Sequence, residues 1–393
     1  MKCILLRSSW QVVNIGDIAH TPGVMALIAK HIPEAEVILW ASKDMSDDVI
    51  AMEHKKFPTM NVVKGTINDQ GIASNDVLAA AIEKSDFLLH GSGASLVAYL
   101  DVEAYVKFTG KPYGVFGITY SGEEATKPIL NQSKFIFFRD TKSLARALDD
   151  GIHSEVMEFG PDGAFSFDIT DDVKAEKFLE QNSLEKGKFL CCIPRLRYTP
   201  YWDISGLQFV PERHAKNEEM KEHDHKAMRE AIISVVRETD LKVLICPEDL
   251  SHIKLGREIL YDKLPDDVKK KVVCKNDFWL TDEALSVYKS SAGLFGNEMH
   301  SPIICISHGI PAVVCRWKEQ TTKGYMWNDI GIGEWLFDLD NDEDLVKIAP
   351  AVLEIAKNQE KAVEKTRRAM EIVRKAQGRM CEVLRQKVTQ IDS

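Results

Sequence analysis

NDVLAAAIEKSDFLLHGSG, residues 75–93, is the stretch from which the fold is read. Residues 75–84 have a helical pattern with Asn75 as N-cap, because a short polar side chain there can accept an orphan backbone N–H. Residues 87–89 form a short, unbroken apolar run, as expected of a strand buried on both faces. Gly91, Ser92 and Gly93 follow at once. Helix, buried strand and small-residue turn together make part of a βαβ unit, the connection that parallel strands require. The same rhythm extends in both directions. Upstream are a strand at 3–6, a helix at 21–31 with Pro22 in its first turn, and a strand at 36–40. Downstream are strands at 113–116, 135–138 and 156–159.

The Gly/Pro turn and acidic helix within 161–187 interrupt this alternation, and a second one begins at 188–193. It continues through 243–246, 272–274, 293–295 and 312–314, and the chain ends in one long or broken helical region. The expected division is therefore an N-terminal Rossmann-like domain at 1–170, a C-terminal Rossmann-like domain at 185–343 and a helical segment at 344–393. The fold class is α/β, with two parallel sheets facing a cleft in a glycosyltransferase-B-like layout. Ligands in such sheets bind beyond the carboxyl ends of the strands.

Composition narrows the function. The 393 residues are 45% hydrophobic and 28% charged, with a formal net charge of −10. A protein that coats nucleic acid needs a basic face to neutralise phosphates, so no nucleic-acid partner is expected. A small basic pocket for an anionic metabolite remains compatible with this charge. The eight cysteines include no CxxC pair, which argues against a zinc ribbon or a dithiol redox site. Cys3, Cys246 and Cys315 lie in apolar runs and read as buried thiols. No metal and no cofactor are expected. The opening MKCILLRSSW is too short for a signal h-region, and no run reaches the length of a transmembrane span, so the expected location is the cytoplasm.

Five segments can carry chemistry. Asn14-Ile15-Gly16-Asp17 joins the first strand to the first helix, where a glycine lets backbone N–H groups meet a ligand and Asp17 can equally serve as a helix cap. The loop 90–95, with Gly91, Ser92, Gly93 and Ser95, can approach a phosphate or sugar closely, but it lacks the lysine of a P-loop. Arg139 and Asp140 begin a helix and read as a local ion pair and cap, while Asp162 follows the last strand of the first half. Arg195, Arg197 and Tyr198 lie beyond the first strand of the second half, where guanidinium groups can fork a carboxylate or phosphate. The aromatic run 198–202 offers a sugar-stacking face. Most informative is Gly296-Asn297-Glu298-Met299-His300-Ser301-Pro302. There His300 opens a helix, beside unsatisfied N–H groups that favour an anion and a neutral imidazole able to act as general base. Lys323 adds positive charge after the next strand. The HDH run at 223–225 reads as a solvated helix face, and the acidic run 338–344 as a solvated loop.

In their order along the chain, these segments resemble the polysaccharide pyruvyl transferase superfamily. The matching features are Asn14-x-Gly16-Asp17, Gly91-Ser92-Gly93, Arg139-Asp140-x-x-Ser143, Pro161-Asp162-x-Ala164-Phe165, the arginine loop at 195–197, His300 with Gly309-Ile310-Pro311, and Lys323 ahead of Ile330-Gly331-Ile332. The resemblance implies an enzyme that transfers an enolpyruvyl group from phosphoenolpyruvate to a sugar of a cell-surface polysaccharide or its precursor. It also implies His300 as a catalytic or donor-binding residue, Arg195 or Arg197 on the donor's carboxylate or phosphate, and Lys323 as added charge. Asp17 and the 91–95 loop would face the acceptor. The family places Arg-Leu-His where this chain has Glu298-Met299-His300, which reverses one charge beside the proposed anion site. Two alternatives follow: a nucleotide-sugar glycosyltransferase or epimerase that uses Glu298 on ribose hydroxyls, and a non-catalytic glycan-binding relative.

Overall fold

The computed structural model describes residues 2–390. They form two compact units, one comprising residues 2–12, 17–169 and 371–390, the other 13–16 and 170–370. Both are parallel α/β sheets.

The first unit holds β1 (Cys3–Arg7), β2 (Glu36–Ala41), β3 (Asn61–Lys64), β4 (Phe87–His90), β5 (Tyr113–Ile118), β6 (Ile136–Phe138) and β7 (Met157–Phe159). Their order is β3-β2-β1-β4-β5-β6-β7, every pair parallel. The chain builds outward from β1 to β3, then returns to lay β4 on the other flank of β1. That reversal makes the β1/β4 junction the topological switch point, where open sheets bind ligands. Asn75 caps the helix Asp76–Lys84 by accepting from the Leu78 N–H at 2.9 Å.

The second unit holds β8 (Phe189–Ile193), β9 (Lys242–Ile245), β10 (Val272–Cys274), β11 (Gly293–Gly296), β12 (Ala312–Arg316) and β13 (Leu336–Asp338), in the order β10-β9-β8-β11-β12-β13. Its switch point is the β8/β11 junction. Both central strands are fully buried, which explains their continuous apolar runs.

Several expectations need correction. The first helix runs over Ile15–His31, so Pro22 lies inside it and Asp17 sits in its first turn instead of capping it. Proline costs that helix one backbone bond. Strands β3 and β13 were not anticipated; they are four and three residues long. The acidic run at 338–344 is no free loop. Asp338 ends β13 and pairs with Arg316, Asp340 binds Arg197 at 2.7 Å, and Asn341 caps the helix Asp342–Lys357. The C-terminal helix Gln359–Thr389 contributes residues to both units. All eight cysteines are free thiols, seven of them buried. Among the described residues, no helix is long and apolar enough to cross a membrane.

Candidate active site

The second unit gathers its charged residues at the carboxyl ends of four neighbouring strands. The loop after β8 supplies Arg195, that after β9 supplies Glu248, Asp249 and His252, that after β11 supplies Glu298 and His300, and that after β12 supplies Lys323. Glu298 is the hub. Its Oε2 accepts from Arg195 Nη1 at 2.8 Å and from Lys323 Nζ at 3.0 Å. The carboxylate is 1% exposed, while the two cations keep 15% and 16% exposure and form the open edge of the cluster.

Burial alone would raise the Glu298 pKa, but Arg195 and then Lys323 override it and hold this carboxyl well below the usual range. Glu248 goes the other way. Burial, then the neighbouring Glu298 charge, pushes it up to about 7, with Lys323 partly offsetting. Burial, then Arg195, lowers the Lys323 pKa. One carboxylate is thus fixed as an anion while its neighbour is poised near neutrality, the separation that acid–base work requires.

His300 begins the helix His300–Ser307, as its place after β11 suggested. Its Nδ1 lies 3.4 Å from Glu248 Oε1, and the other Glu248 oxygen accepts from the Ser301 N–H at 2.7 Å. The helix terminus and Glu248 therefore fix each other. Residues 13–16 complete this corner. Asn14 bridges to Asp249, the Ile15 N–H donates to the Glu248 carbonyl at 2.9 Å, and Asn14 Oδ1 accepts from the Gly16 N–H at 2.7 Å. A Cβ on Gly16 would overlap the His300 imidazole, so the glycine of the Asn14-x-Gly16 motif is set by the close approach of this side chain.

Asp249, His252 and Glu298 place three donor atoms close together, as a cation site would. The histidine's hydrogen bonds decide its state. The Glu248 and Asp249 N–H groups both donate to His252 Nδ1, at 3.1 and 3.2 Å. That lone pair is committed, so the neutral ring carries its proton on Nε2, facing Asp249 Oδ2 at 3.2 Å. A metal-ligating histidine normally protonates the other nitrogen. His252 reads as the charge partner of the acidic pair, with Nε2 3.2 Å from Asp249 Oδ2 and 3.7 Å from Glu298 Oε1.

The two arginines of the 195–197 loop part company. Arg197 is buried, paired with both Asp224 oxygens at 2.9 Å, with Glu319 at 3.0 Å and with Asp340 at 2.7 Å, and it lies over Trp317. Its donors are spent on the fold, whereas Arg195 faces the Glu298 cluster. The Tyr198 backbone is held by Asn217, and Arg213 covers its ring. Asp224 and His225 are buried in the helix Pro211–Glu238, so only part of the HDH run matches a solvated face. The long helix hides that turn against its neighbours.

In the first unit, the Gly91-Ser92-Gly93 turn follows β4 at its switch point. Ser92 is buried; its Oγ accepts from the Gly163 N–H at 3.0 Å and lies 2.6 Å from His20 Nδ1. The same Nδ1 is 2.9 Å from Asp162 Oδ1, and Arg139 donates to Asp162 Oδ2 at 2.9 Å. Serine and aspartate share one ring nitrogen, so this is a buried polar clamp and not the two-sided relay of a serine nucleophile. Asp140 caps the helix Thr141–Asp149, as expected, but the partner of Arg139 is Asp162 and not Asp140. Gly93 lies against Trp10, Ser95 is half-buried, and Asp17 accepts from Gln11. Glu248, Asp249 and His252 were not singled out from the sequence. Their one signal is an acid pair two residues beyond an apolar strand.

A parallel two-sheet α/β architecture of this topology is the glycosyltransferase-B-like fold class. Solved structures agree on the fold. S. aureus MnaA in its UDP co-structure aligns with a TM-score of 0.59 at 13% identity, over 93% of this chain and 91% of that one. Anabaena Alr3699/HepE with UDP and glucose aligns at 0.59 and 11% identity, over 98% and 100%. UDP-GlcNAc 2-epimerase from Neisseria meningitidis bound to UDP-GlcNAc aligns at 0.58 and 12%, over 98% and 100%. No curated protein sequence matches the chain. The family model for polysaccharide pyruvyl transferase matches residues 14–319, and the chain belongs to that family. It is a transferase, of a family that modifies polysaccharide.

Proposed function

We propose that this protein transfers the pyruvyl group of phosphoenolpyruvate to two hydroxyls of a sugar in a polysaccharide or its precursor, forming a ketal and releasing phosphate. The observation that carries the reading is the convergence of Arg195 and Lys323 on one point, 2.8 and 3.0 Å from a single carboxylate oxygen. Two partly exposed cations so held suit a small, multiply charged donor. One sugar hydroxyl adds to C2 of the enol ester while C3 gains a proton. The second hydroxyl then displaces phosphate from C2, and its proton leaves with the phosphate. His300 carries protons to and from the reacting atoms. Glu248 positions that imidazole and, titrating near 7, adjusts its charge. The Asn14–Asp17 region and the loop 91–95 belong to the acceptor side.

A second reading, a nucleotide-sugar donor, is favoured by Glu298 itself, since a carboxylate accepts ribose hydroxyls readily, and by neighbours solved with UDP. Thermal-shift titration separates the two, because a ligand that binds only the native state raises its melting point by mass action. Stabilisation by phosphoenolpyruvate but not by UDP- or GDP-sugars, together with acceptor-dependent phosphate release, supports pyruvyl transfer. The opposite pattern rejects it.

A further inference from the structure

Within the second unit, a groove of about 560 Å³ lies beside the charged cluster but outside it. Its lining includes the apolar side chains of Leu196, Pro200, Ile204, Leu250, Leu255 and Ile259 together with Trp202. Trp202 meets Phe209 edge-on with centroids 5.2 Å apart, and His214 packs on Phe209 at 5.4 Å, so the indole is braced from its own side of the chain. The lining is also preformed. Asn217 accepts from the Tyr198 N–H at 2.9 Å and donates to the Tyr198 carbonyl at 2.7 Å, which ties the loop before Trp202 to the helix Pro211–Glu238. Ser251 is fixed through Asp249, to which its N–H donates at 2.7 Å and its hydroxyl at 2.5 Å.

Charge selects the occupant. The groove carries Asp203, Glu218 and Glu258 with Lys221, Lys254 and Lys263, three acids and three bases; Lys221 pairs with Glu218, Lys254 with Glu258 and Lys263 with Glu222, so the charges are largely matched among themselves. A phosphate or nucleotide gains nothing from a balanced field, whereas sugar hydroxyls both donate to carboxylates and accept from ammonium groups. The C–H faces of a sugar ring suit the apolar side chains and the indole, and the volume falls within the range of small-molecule sites. Connectivity links the groove to the reaction centre, since Leu196 follows Arg195 and Leu250 follows Glu248 and Asp249.

We infer that this groove is a subsite for a neutral sugar residue of the acceptor glycan, next to the one that is modified. The inference rests on reading the chain as a glycan-modifying transferase, and its test does not need the donor. Calorimetry with the full chain would use neutral hexose and N-acetylhexosamine disaccharides, UMP and inorganic phosphate as separate probes. At least one neutral disaccharide binds, Trp202→Ala weakens it by about tenfold, and Trp202→Phe retains most of the affinity. Asp203→Asn, on the exposed rim, weakens binding without touching the core and covers the case in which Trp202→Ala fails to fold. In turnover, Trp202→Ala raises KM for oligosaccharide acceptors and leaves kcat and monosaccharide KM unaltered. The inference is overturned if no neutral saccharide binds the folded protein, if both substitutions leave binding intact, or if UMP or phosphate competes for the Trp202-dependent site. Saccharide binding that depends on Trp202, with no turnover of phosphoenolpyruvate, would reject the donor reading and leave the subsite standing.

Discussion

Glu298→Gln removes the one charge that both Arg195 and Lys323 contact. At their separations of 2.8 and 3.0 Å, and an effective dielectric of about 20, each pair has a gross attraction of about 6 kcal/mol. Desolvation cancels much of that, and deleting one partner of a buried pair costs about 3–5 kcal/mol. The cations keep some exposure, so the lower end applies, and the variant should lose about 3 kcal/mol of stability at neutral pH. That same loss becomes available to an incoming anion. Recovery of about 2 kcal/mol corresponds to roughly thirtyfold tighter binding of phosphoenolpyruvate. A second signature follows from Glu248, which Glu298 helps to push up to about 7. Donor binding to the wild type should take up protons near pH 7, seen as a buffer-dependent heat, and the uptake should shrink in Glu298→Gln. Isothermal titration with phosphoenolpyruvate in two buffers, alongside urea denaturation, measures all three. If Glu298→Gln binds phosphoenolpyruvate no more tightly than the wild type, the two cations are not the donor's address.

Other substitutions probe separate parts of the account. Glu248→Gln should reduce kcat and abolish the limb of the pH–rate profile near 7. Because the folded Glu248 pKa is raised, its contribution to stability is full below the ordinary carboxylate range and is lost as pH climbs through about 7, and the variant should lack that loss. Glu53 is fully buried in the helix Asp47–His54, neither carboxylate oxygen has a hydrogen-bond partner, and burial pushes it up to about 8. The wild type should lose a few kcal/mol between pH 4.5 and 8 from this group alone, and Glu53→Leu should flatten that slope in urea midpoints. Gly16→Ala forces a methyl into the His300 imidazole and should cut kcat/KM by at least about tenfold, with circular dichroism unchanged. Arg197→Ala strands Asp224, Glu319 and Asp340 and should destabilise by about 3–5 kcal/mol, whereas Arg195→Ala should weaken donor binding more than it lowers the melting point.

The parts of the fold legible in the sequence were those where burial on both faces writes a continuous apolar run. Strands β1, β4, β8 and β11 are of this kind, and they are also the four that flank the two switch points. Of the four edge strands, β7 and β10 were still legible as short runs at 156–159 and 272–274, whereas the four-residue β3 and three-residue β13 were not. His300 was legible because a strand end and a helix start bracket it within a few residues. Glu248 and His252 were not, since their partners Ser301 and Glu298 lie about fifty residues away and no local spacing records the contact. The pairing of Arg139 with Asp162 was missed for the same reason, because the nearer Asp140 offers an equally good partner until the chain is folded.

The most direct measurement is incubation of the intact protein with phosphoenolpyruvate and a panel of oligosaccharides, following inorganic phosphate and the acceptor's mass together. The account predicts acceptor-dependent phosphate release, an acceptor heavier by one pyruvate less water, and loss of both in His300→Ala. Turnover of a nucleotide sugar under the same conditions, with phosphoenolpyruvate untouched, would contradict it.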